Sequence, residues 1–357
     1  MSRYAFLILP SHNRVYAGGA PALARAELAV LGSALPDAAI DTGSIAEAVI
    51  GGVRYVTFEA AELTDKDIEL LGNLSSLYAL FAAGGAEGAE VLRPVTLRRL
   101  DRYDDDLLTI LKYQGKTNEQ FTKLLLNVTL AASAFARDAG RRRLAALDPL
   151  CGRGTTLNQA IMYGFDAYGA DIDGRDVEAY AVFLQRWLKD KRLKHQADFS
   201  PVRRDGRVVA SRLRAEFAAA KDDYKAGDVQ RVDVVEADTM RVGEFFKPES
   251  ADLIVTDLPY GVQHGSHGAG KPSQPGGRGL ARSPLELLRS AAPRWTAVLR
   301  PGGAVGISWN TLVARREEAA EVLAGSGLDV LDDGPFRDFR HRVDQAITRD
   351  ILVARKP

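Results

Sequence analysis

Hydrophobic and polar positions alternate along this chain with two different periods. In the first hundred residues "YAFLIL" and "VRYVTFE" have the short apolar character of strands, and "APALARAELAVLGSAL" places apolar side chains at helical spacing. "DKDIELLGNLSSLYALFAAG" predicts a helix running into a strand, and "VLRPVTLR" a last strand. The expectation is a small α+β unit over residues 1–100. The acidic stretch "LDRYDDDLLTI" follows as a connector. "QGKTNEQFTKLLLNVTLAASAFA" then carries Leu124, Val128 and Ala131 at helical spacing, with Thr117 or Asn118 as the N-cap. Residues 101–143 thus form a linker and a helix leading into the next unit.

From residue 144 the pattern becomes strand, glycine turn, helix, strand. "RLAALDPLCGRGTTLNQAIMYG" is followed by "DAYGADIDGRDVEAYAVFLQRWLKD", and then by "RVDVVEAD", "ADLIVTDLPYG" and "GGAVGISW". Strands alternating with helices predict an α/β fold, a doubly wound and mostly parallel sheet over 144–357. Between the helix ending near Lys194 and the strand "VDVVEA" the chain is too long for an idle loop. Residues from about 196 to 230 are an insertion, with a helix expected over "VVASRLRAEFAAAKDDYK".

Composition narrows the class. The chain has 357 residues, 46% of them hydrophobic and 26% charged, with a formal net charge of zero. That is ordinary soluble composition. No apolar run reaches the length of a membrane span, and the apolar stretch of "MSRYAFLILPSHNR" is too short for a signal peptide. One cysteine leaves no internal disulfide and no Cys-x-x-Cys, so a reducing, cytoplasmic setting is expected. With no overall basic field, nucleic-acid binding must come from local patches. Residues 186–214 supply one, with ten Lys/Arg against three Asp, either a phosphate-binding surface or a solvated helical arm.

Three stretches carry candidate chemistry. In "LDPLCGRGTT" a strand ends at Asp148, and Gly152 and Gly154 allow a tight turn, with Thr155 or Thr156 as cap of the next helix. Such a turn holds a nucleoside cofactor against a strand edge and a helix N-terminus, and it lacks the three-glycine spacing of pyrophosphate binding. In "YGADID", Asp171 ends the next strand, where an acidic side chain accepts ribose hydroxyls; the alternative is that Asp171 and Asp173 only cap the following helix. In "DLPYG", Pro259 cannot continue a ladder, so the chain presents Asp257 and Tyr260 at a strand's carboxyl end. An exocyclic amine becomes nucleophilic when two acceptors hold its hydrogens. Asp257 and the carbonyl of Leu258 or Pro259 are those acceptors, and Tyr260 stacks on the extruded base. The alternative is a strand-end turn with a packed tyrosine.

Taken in order, "YQGKTNEQFTKLLLN", "DPLCGRGT", "GADID", "EADT" and "DLPYG" resemble the Rossmann-like S-adenosylmethionine-dependent amino-methyltransferases, specifically the tRNA guanine-N2 methyltransferases and their relatives with an N-terminal RNA-binding module. The resemblance spans roughly residues 110–310. It implies that Asp148, Gly152 and Gly154 line the methionine part of the cofactor, Asp171 the ribose and Asp238 the adenine amine. Asp257, Pro259 and Tyr260 would hold the target base. Leu258 stands where such enzymes carry a first proline, and Arg153 replaces a small residue.

The function expected is methyl transfer from S-adenosylmethionine to an exocyclic amine, guanine N2 in RNA foremost, with residues 1–100 and the insertion binding RNA. A DNA adenine-N6 or cytosine-N4 methylase would use the same motif, and a non-catalytic cofactor- and RNA-binding protein is a third reading. Cys151 sits in the cofactor turn, which disfavours a cysteine-nucleophile mechanism. No metal is expected: His264 and His267 in "HGSHGAGKPSQPGGRG" lack accompanying carboxylates or cysteines, and a glycine-rich lid is the expected role of that stretch.

Overall fold

Apolar alternation in the first hundred residues produces an antiparallel sheet. In the computed structural model, which describes residues 1–11, 14–34, 40–85, 91–113, 115–259 and 283–357, strand β1 (Ser2–Ile8) leads to helix α1 (Arg14–Ala34). Then come β2 (Asp41–Ile50), β3 (Val53–Ala60), α2 (Asp65–Leu71), β4 (Leu77–Gly84) and β5 (Val91–Val95). The strand order is β2-β3-β1-β4-β5. β2 escapes the hydrophobic pattern because its "DTGSIAEAVI" is small, polar and largely exposed; it is an edge strand held by pairing with β3. α2 starts at a capping box in which Thr64 and Asp67 satisfy each other's backbone N–H.

The chain continues through α3 (Asp106–Thr109) and α4 (Glu119–Ala132) into β6 (Ala145–Asp148), α5 (Thr155–Met162), β7 (Asp166–Asp171) and α6 (Gly174–Asp190). Next are β8 (Lys194–Arg204), β9 (Arg207–Ala218), α7 (Lys221–Ala226), β10 (Gln230–Glu236), α8 (Val242–Phe245) and β11 (Ala251–Asp257). The last elements are α9 (Pro284–Val298), β12 (Leu299–Asn310), α10 (Arg316–Gly325), β13 (Asp329–Leu331), β14 (His341–Arg342) and β15 (Thr348–Arg355). The large sheet has the order β13-β15-β12-β11-β6-β7-β10-β9-β8, with β14 on β15. Its centre, β12-β11-β6-β7-β10, is parallel. One apolar cluster packs α4, α5 and α6 against the sheet, and another packs α8, α9 and α10 against it. Helices therefore cover both faces, as the doubly wound expectation required. The ladder hydrogen bonds of a parallel sheet leave all its strand carboxyl ends on one edge.

The insertion differs from the expectation. "VVASRLRAEFAAAKDDYK" is not helical through its length: it is strand β9 up to Ala218, and only Lys221–Ala226 forms a helix. Leu213, Ala215 and Phe217 are buried in alternation with Arg212, Arg214 and Glu216, a period of two. β9 finds partners on both sides, β8 and β10, and that pairing overrides the helix-forming Ala, Arg and Glu. The turn is Asp205-Gly206, both residues in the left-handed region at φ 49° and 75°, the two-residue hairpin geometry.

The N-terminal sheet does not stand apart from the large one. Tyr16, Ala20, Leu23, Ala26 and Val30 of α1 share a core with α4 and α5. At this junction Glu27 is buried. Its carboxylate accepts hydrogen bonds from the Ser75 N–H at 3.0 Å, the Ser75 hydroxyl at 2.6 Å and Asn127 Nδ2 at 2.7 Å. Tyr163 donates to Asn127 Oδ1 at 2.8 Å. Burial outweighs these donors and raises the Glu27 carboxyl to about 7. A carboxyl raised on folding binds extra protons in the native state, so its contribution to stability is full below the unfolded value and is lost as pH rises through about 7. Between about pH 5 and about pH 8, the thermal midpoint of Glu27→Gln should therefore fall less than that of the unaltered protein. Equal declines in the two proteins would contradict the assignment.

Candidate active site

The carboxyl ends of β6, β7 and β11 meet at one sheet edge, beside the N-terminus of α4. A cavity of about 430 Å³ opens there, lined by Asp148, Gly152, Asp257, Leu258 and Pro259 together with Tyr113, Thr117, Phe121 and Arg153. Its volume is that of a small-molecule site.

The glycine turn forms one wall. Gly152 and Gly154 take φ of 47° and 80°, which side-chain-bearing residues rarely adopt. A Cβ on Gly154 would lie 2.3 Å from the ring of Tyr180, whereas one on Gly152 would meet nothing within 4 Å. Gly154 itself is the N-cap of α5, with no side-chain cap, so neither Thr155 nor Thr156 caps the helix as expected. The Thr155 hydroxyl instead pairs with Tyr113 Oη at 2.8 Å. Arg153 lies over the Tyr113 ring at 5.1 Å, and its Nε donates to Asp176 at 2.8 Å.

Acidic groups surround this turn. Asp148 is buried, and its Oδ1 accepts from the Thr256 hydroxyl at 2.8 Å and the Leu150 N–H at 3.1 Å. Burial pushes its carboxyl up to about 7. Asp171 accepts the Gly152 N–H on Oδ2 at 2.7 Å and the Asp173 N–H on Oδ1 at 2.9 Å, and burial raises its carboxyl as well. Asp173, not Asp171, caps α6. Asp171 thus sets the shape of the turn. Asp238 follows β10, caps the short 3-10 turn Thr239–Arg241 by accepting the Met240 N–H at 2.9 Å, and does not line the cavity. Cys151 is buried, its Sγ 2.9 Å from where a Cβ on Gly169 would lie, and burial raises its thiol strongly. A thiol so placed is a packing group and not a nucleophile.

Asp257 does not project freely from its strand, as the pattern suggested; its side chain is only 19% exposed and held at several points. The Ser308 hydroxyl donates to Oδ1 and the Thr117 hydroxyl donates to Oδ2 at 2.9 Å. Arg349 Nη2 lies 3.4 Å from Oδ2, and the Arg349 guanidinium covers the Phe121 ring at 4.3 Å. Asn118 caps α4, which leaves Thr117 for Asp257. The Leu258 N–H donates to the Ser308 carbonyl at 2.8 Å, fixing the Asp257–Leu258 peptide. Tyr260, His264, His267 and the glycine-rich stretch lie outside the described residues.

The structure therefore gathers Asp148, Gly152, Asp257 and Pro259 at one cavity, ties Asp171 and Gly154 to its glycine turn and leaves Asp238 off it. Sequence reasoning missed Tyr113, Thr117, Ser308 and Arg349. Ser308 and Arg349 come from β12 and β15, whose register places them beside Asp257. No motif marks them. Among the described residues no group of three or more His, Cys, Asp or Glu is placed to hold a metal, and no helix is long and apolar enough to cross a membrane.

Residues 119–272 match the model of a family described as UPF0020, RMKL-like, methyltransferase domain. Among solved structures, the N-methyltransferase NodS from Bradyrhizobium japonicum is 14% identical, over 67% of this chain and 95% of that one, with a TM-score of 0.38. A TehB-like SAM-dependent methyltransferase from Corynebacterium glutamicum is 16% identical, over 62% and 84%, with a TM-score of 0.32. The 1,6-didemethyltoxoflavin-N1-methyltransferase from Burkholderia thailandensis, solved with bound 1,6-didemethyltoxoflavin and S-adenosylhomocysteine, is 16% identical over 63% of this chain and 76% of that one, with a TM-score of 0.35. None of the curated proteins matches this chain.

Proposed function

We propose that the methyltransferase domain carried by residues 119–272 moves the methyl group of S-adenosylmethionine onto an exocyclic amine of a nucleobase in RNA, guanine N2 foremost. The carrying observation is the cavity itself, which brings the Asp257–Leu258–Pro259 strand end to the same space as Asp148 and the glycine turn. The residues at the cavity fit the cofactor: the Asp148 carboxylate suits an ammonium group, and the open face of Gly152 lets a ligand approach the backbone, while Asp171, which shapes the turn behind that face, is the residue proposed for the ribose hydroxyls. S-adenosylmethionine supplies an already activated methyl group, so no metal is called for.

The chain's own residues supply placement and polarisation. Asp257 accepts one amine hydrogen and the Leu258 or Pro259 carbonyl the other, which draws the nitrogen lone pair out of conjugation. Thr117, Ser308 and Arg349 fix the Asp257 carboxylate in place before substrate arrives, so no reorganisation is needed in the reaction. Tyr260 stacks on the extruded base. The proposed setting is cytoplasmic.

Asp148 gives this reading a pH signature. Calorimetry with S-adenosylhomocysteine, whose amino group is cationic, should show affinity rising about ten-fold between roughly pH 6 and 8 as Asp148 ionises, then levelling. Asp148→Asn should bind weakly with no such rise, and NAD should not bind comparably. A flat profile in the unaltered protein would remove Asp148 from the cofactor site.

The hairpin β8–β9 is the proposed phosphate contact. Arg203 and Arg207 lie beside its turn, and Arg204 pairs with Glu244 at 2.8 Å while covering Phe245. Replacing Arg203, Arg204 and Arg207 by Ala should weaken RNA binding across sequences and lessen its salt dependence. Cofactor affinity should stay the same. Unchanged RNA affinity and salt slope would leave these cations as guards of an exposed edge strand.

A further inference from the structure

Away from the catalytic cavity, a second one of about 500 Å³ opens between α1 and β2 of the N-terminal sheet and the segment that joins β13 to β14. Arg25 of α1 lines it on one side, Arg337 and Arg340 on the other. α1 turns Ala22, Ala26 and Ala29 toward it at i, i+4 and i+7, so an incoming group can come close to the helix. The joint beside this cavity belongs to the catalytic edge of the large sheet. His341 pairs with Arg349, and a Cβ on Gly19 of α1 would lie 3.8 Å from the His341 Cβ. The His341 ring meets Tyr16 edge-on at 6.1 Å and lies 5.2 Å from Phe121, which lines the catalytic cavity.

The three guanidinium groups are poorly neutralised. Arg25 stands 3.7 Å from Glu47, and Arg337 stands 3.9 Å from Asp332 and 4.0 Å from Glu317. Pairs that long between half-exposed side chains are worth little, and Arg316 already holds Asp332 at 2.6 Å. Arg340 has no ion-pair partner among the described residues. The carboxylate on which it acts through space, Asp350, is taken by Arg316 at 2.9 Å. Elsewhere in the molecule Arg142, Arg204 and Arg231 meet carboxylates at 2.8 to 3.0 Å. Among the described residues Asp338 is the cavity's one lining carboxylate, set against three cations. Arg25 and Arg337 are 46% and 53% exposed at their side chains, within reach of a macromolecule.

We infer that this cavity binds a backbone phosphate of the RNA through Arg25, Arg337 and Arg340, at the joint between the N-terminal unit and the catalytic sheet. The inference rests on the RNA reading above and gives the N-terminal unit a named contact. A guanidinium fork meets phosphate oxygens two at a time, which a lysine ammonium does not. No aromatic ring lines the cavity among the described residues, so a base has nothing there to stack on. The contact is therefore to the strand's backbone, one that positions the RNA without reading its sequence.

The test titrates the full chain, with S-adenosylhomocysteine present, into a fluorescein-labelled RNA hairpin carrying a single-stranded tail, and follows anisotropy over a range of salt. Arg340→Ala should weaken binding about five-fold at low salt and reduce the slope of log affinity against log salt by about 0.7 to 0.9, the share of one phosphate. Arg340→Lys should keep most of the slope and recover part of the affinity. Arg294→Ala removes an exposed arginine of α9 that does not line this cavity and should leave both unchanged. Arg340→Ala with the affinity and slope of the unaltered protein would overturn the site, and so would an equal loss in Arg294→Ala, which would report net charge only. Calorimetry with inorganic phosphate supplies a further arm. Phosphate that binds the unaltered protein and not Arg340→Ala, while RNA affinity stays the same in both, would make this a small-anion site and overturn the RNA contact. An unaltered protein that binds no RNA would bring down the RNA reading and this contact together, whereas failure at Arg340 alone leaves that reading standing.

Discussion

Asp257→Asn is expected to lose methyl transfer by about 100-fold or more in a single turnover with saturating S-adenosylmethionine, while retaining cofactor affinity. The substitution keeps the shape of the side chain and removes the anion that grips the amine. Alanine is the poorer choice here. Arg349 is only 5% exposed at its side chain, and Asp257→Ala would leave that guanidinium without its carboxylate. Stripping one partner from a buried pair costs about 3 to 5 kcal/mol, somewhat less where one partner is partly exposed, so a dead alanine variant would not separate misfolding from lost chemistry. The asparagine variant should melt as a cooperative unit and still bind S-adenosylhomocysteine. Near-normal turnover in that folded variant would contradict the role given to the anion, because asparagine keeps only a neutral acceptor oxygen.

Gly154→Ala should destabilise the protein by about 2 to 4 kcal/mol, combining the left-handed backbone penalty with overpacking against a fixed ring. Tyr180 cannot yield: it is fully buried, and its hydroxyl donates to Asn158 Oδ1 at 3.1 Å. Gly152→Ala has the same kind of backbone cost without the clash, so it should lose about 1 kcal/mol of stability. Its new methyl group would project at the cofactor cavity and lower S-adenosylhomocysteine affinity. Denaturant unfolding and calorimetry on both variants check this split. A Gly154→Ala protein as stable as Gly152→Ala would contradict the packing described.

Residues that act locally were the ones legible in the sequence. A strand ending in Asp148, two glycines and a helix announces its turn because φ > 0 at Gly152 and Gly154 is a requirement of one short segment. The same holds for Pro259 ending β11. What the sequence concealed depends on distant register. Ser308 and Arg349 stand beside Asp257 only because β12 and β15 pair in one alignment, and no spacing within either strand reports it. The hairpin was a different kind of miss. Asp205-Gly206 is a strong two-residue turn signal, and Leu213, Ala215 and Phe217 alternate as a strand does, yet the alanine- and arginine-rich run "RLRAEFAAAK" has high helix propensity. The ladder with β10 decided the outcome. Asp238 was assigned to the cofactor by resemblance; its carboxylate accepts a backbone N–H of the next turn.

The central claim is that this chain methylates an exocyclic amine in RNA, and the most direct measurement follows the methyl group itself. RNA from cells lacking the protein is incubated with purified protein and deuteromethyl-labelled S-adenosylmethionine, then digested and resolved by nucleoside mass spectrometry, with DNA from the same cells treated in parallel. The account predicts label on an exocyclic nitrogen of an RNA nucleoside, N2-methylguanosine foremost, and its loss in Asp257→Asn. Label confined to DNA, label on carbon, or no transfer to nucleic acid by a protein that binds S-adenosylhomocysteine would contradict it.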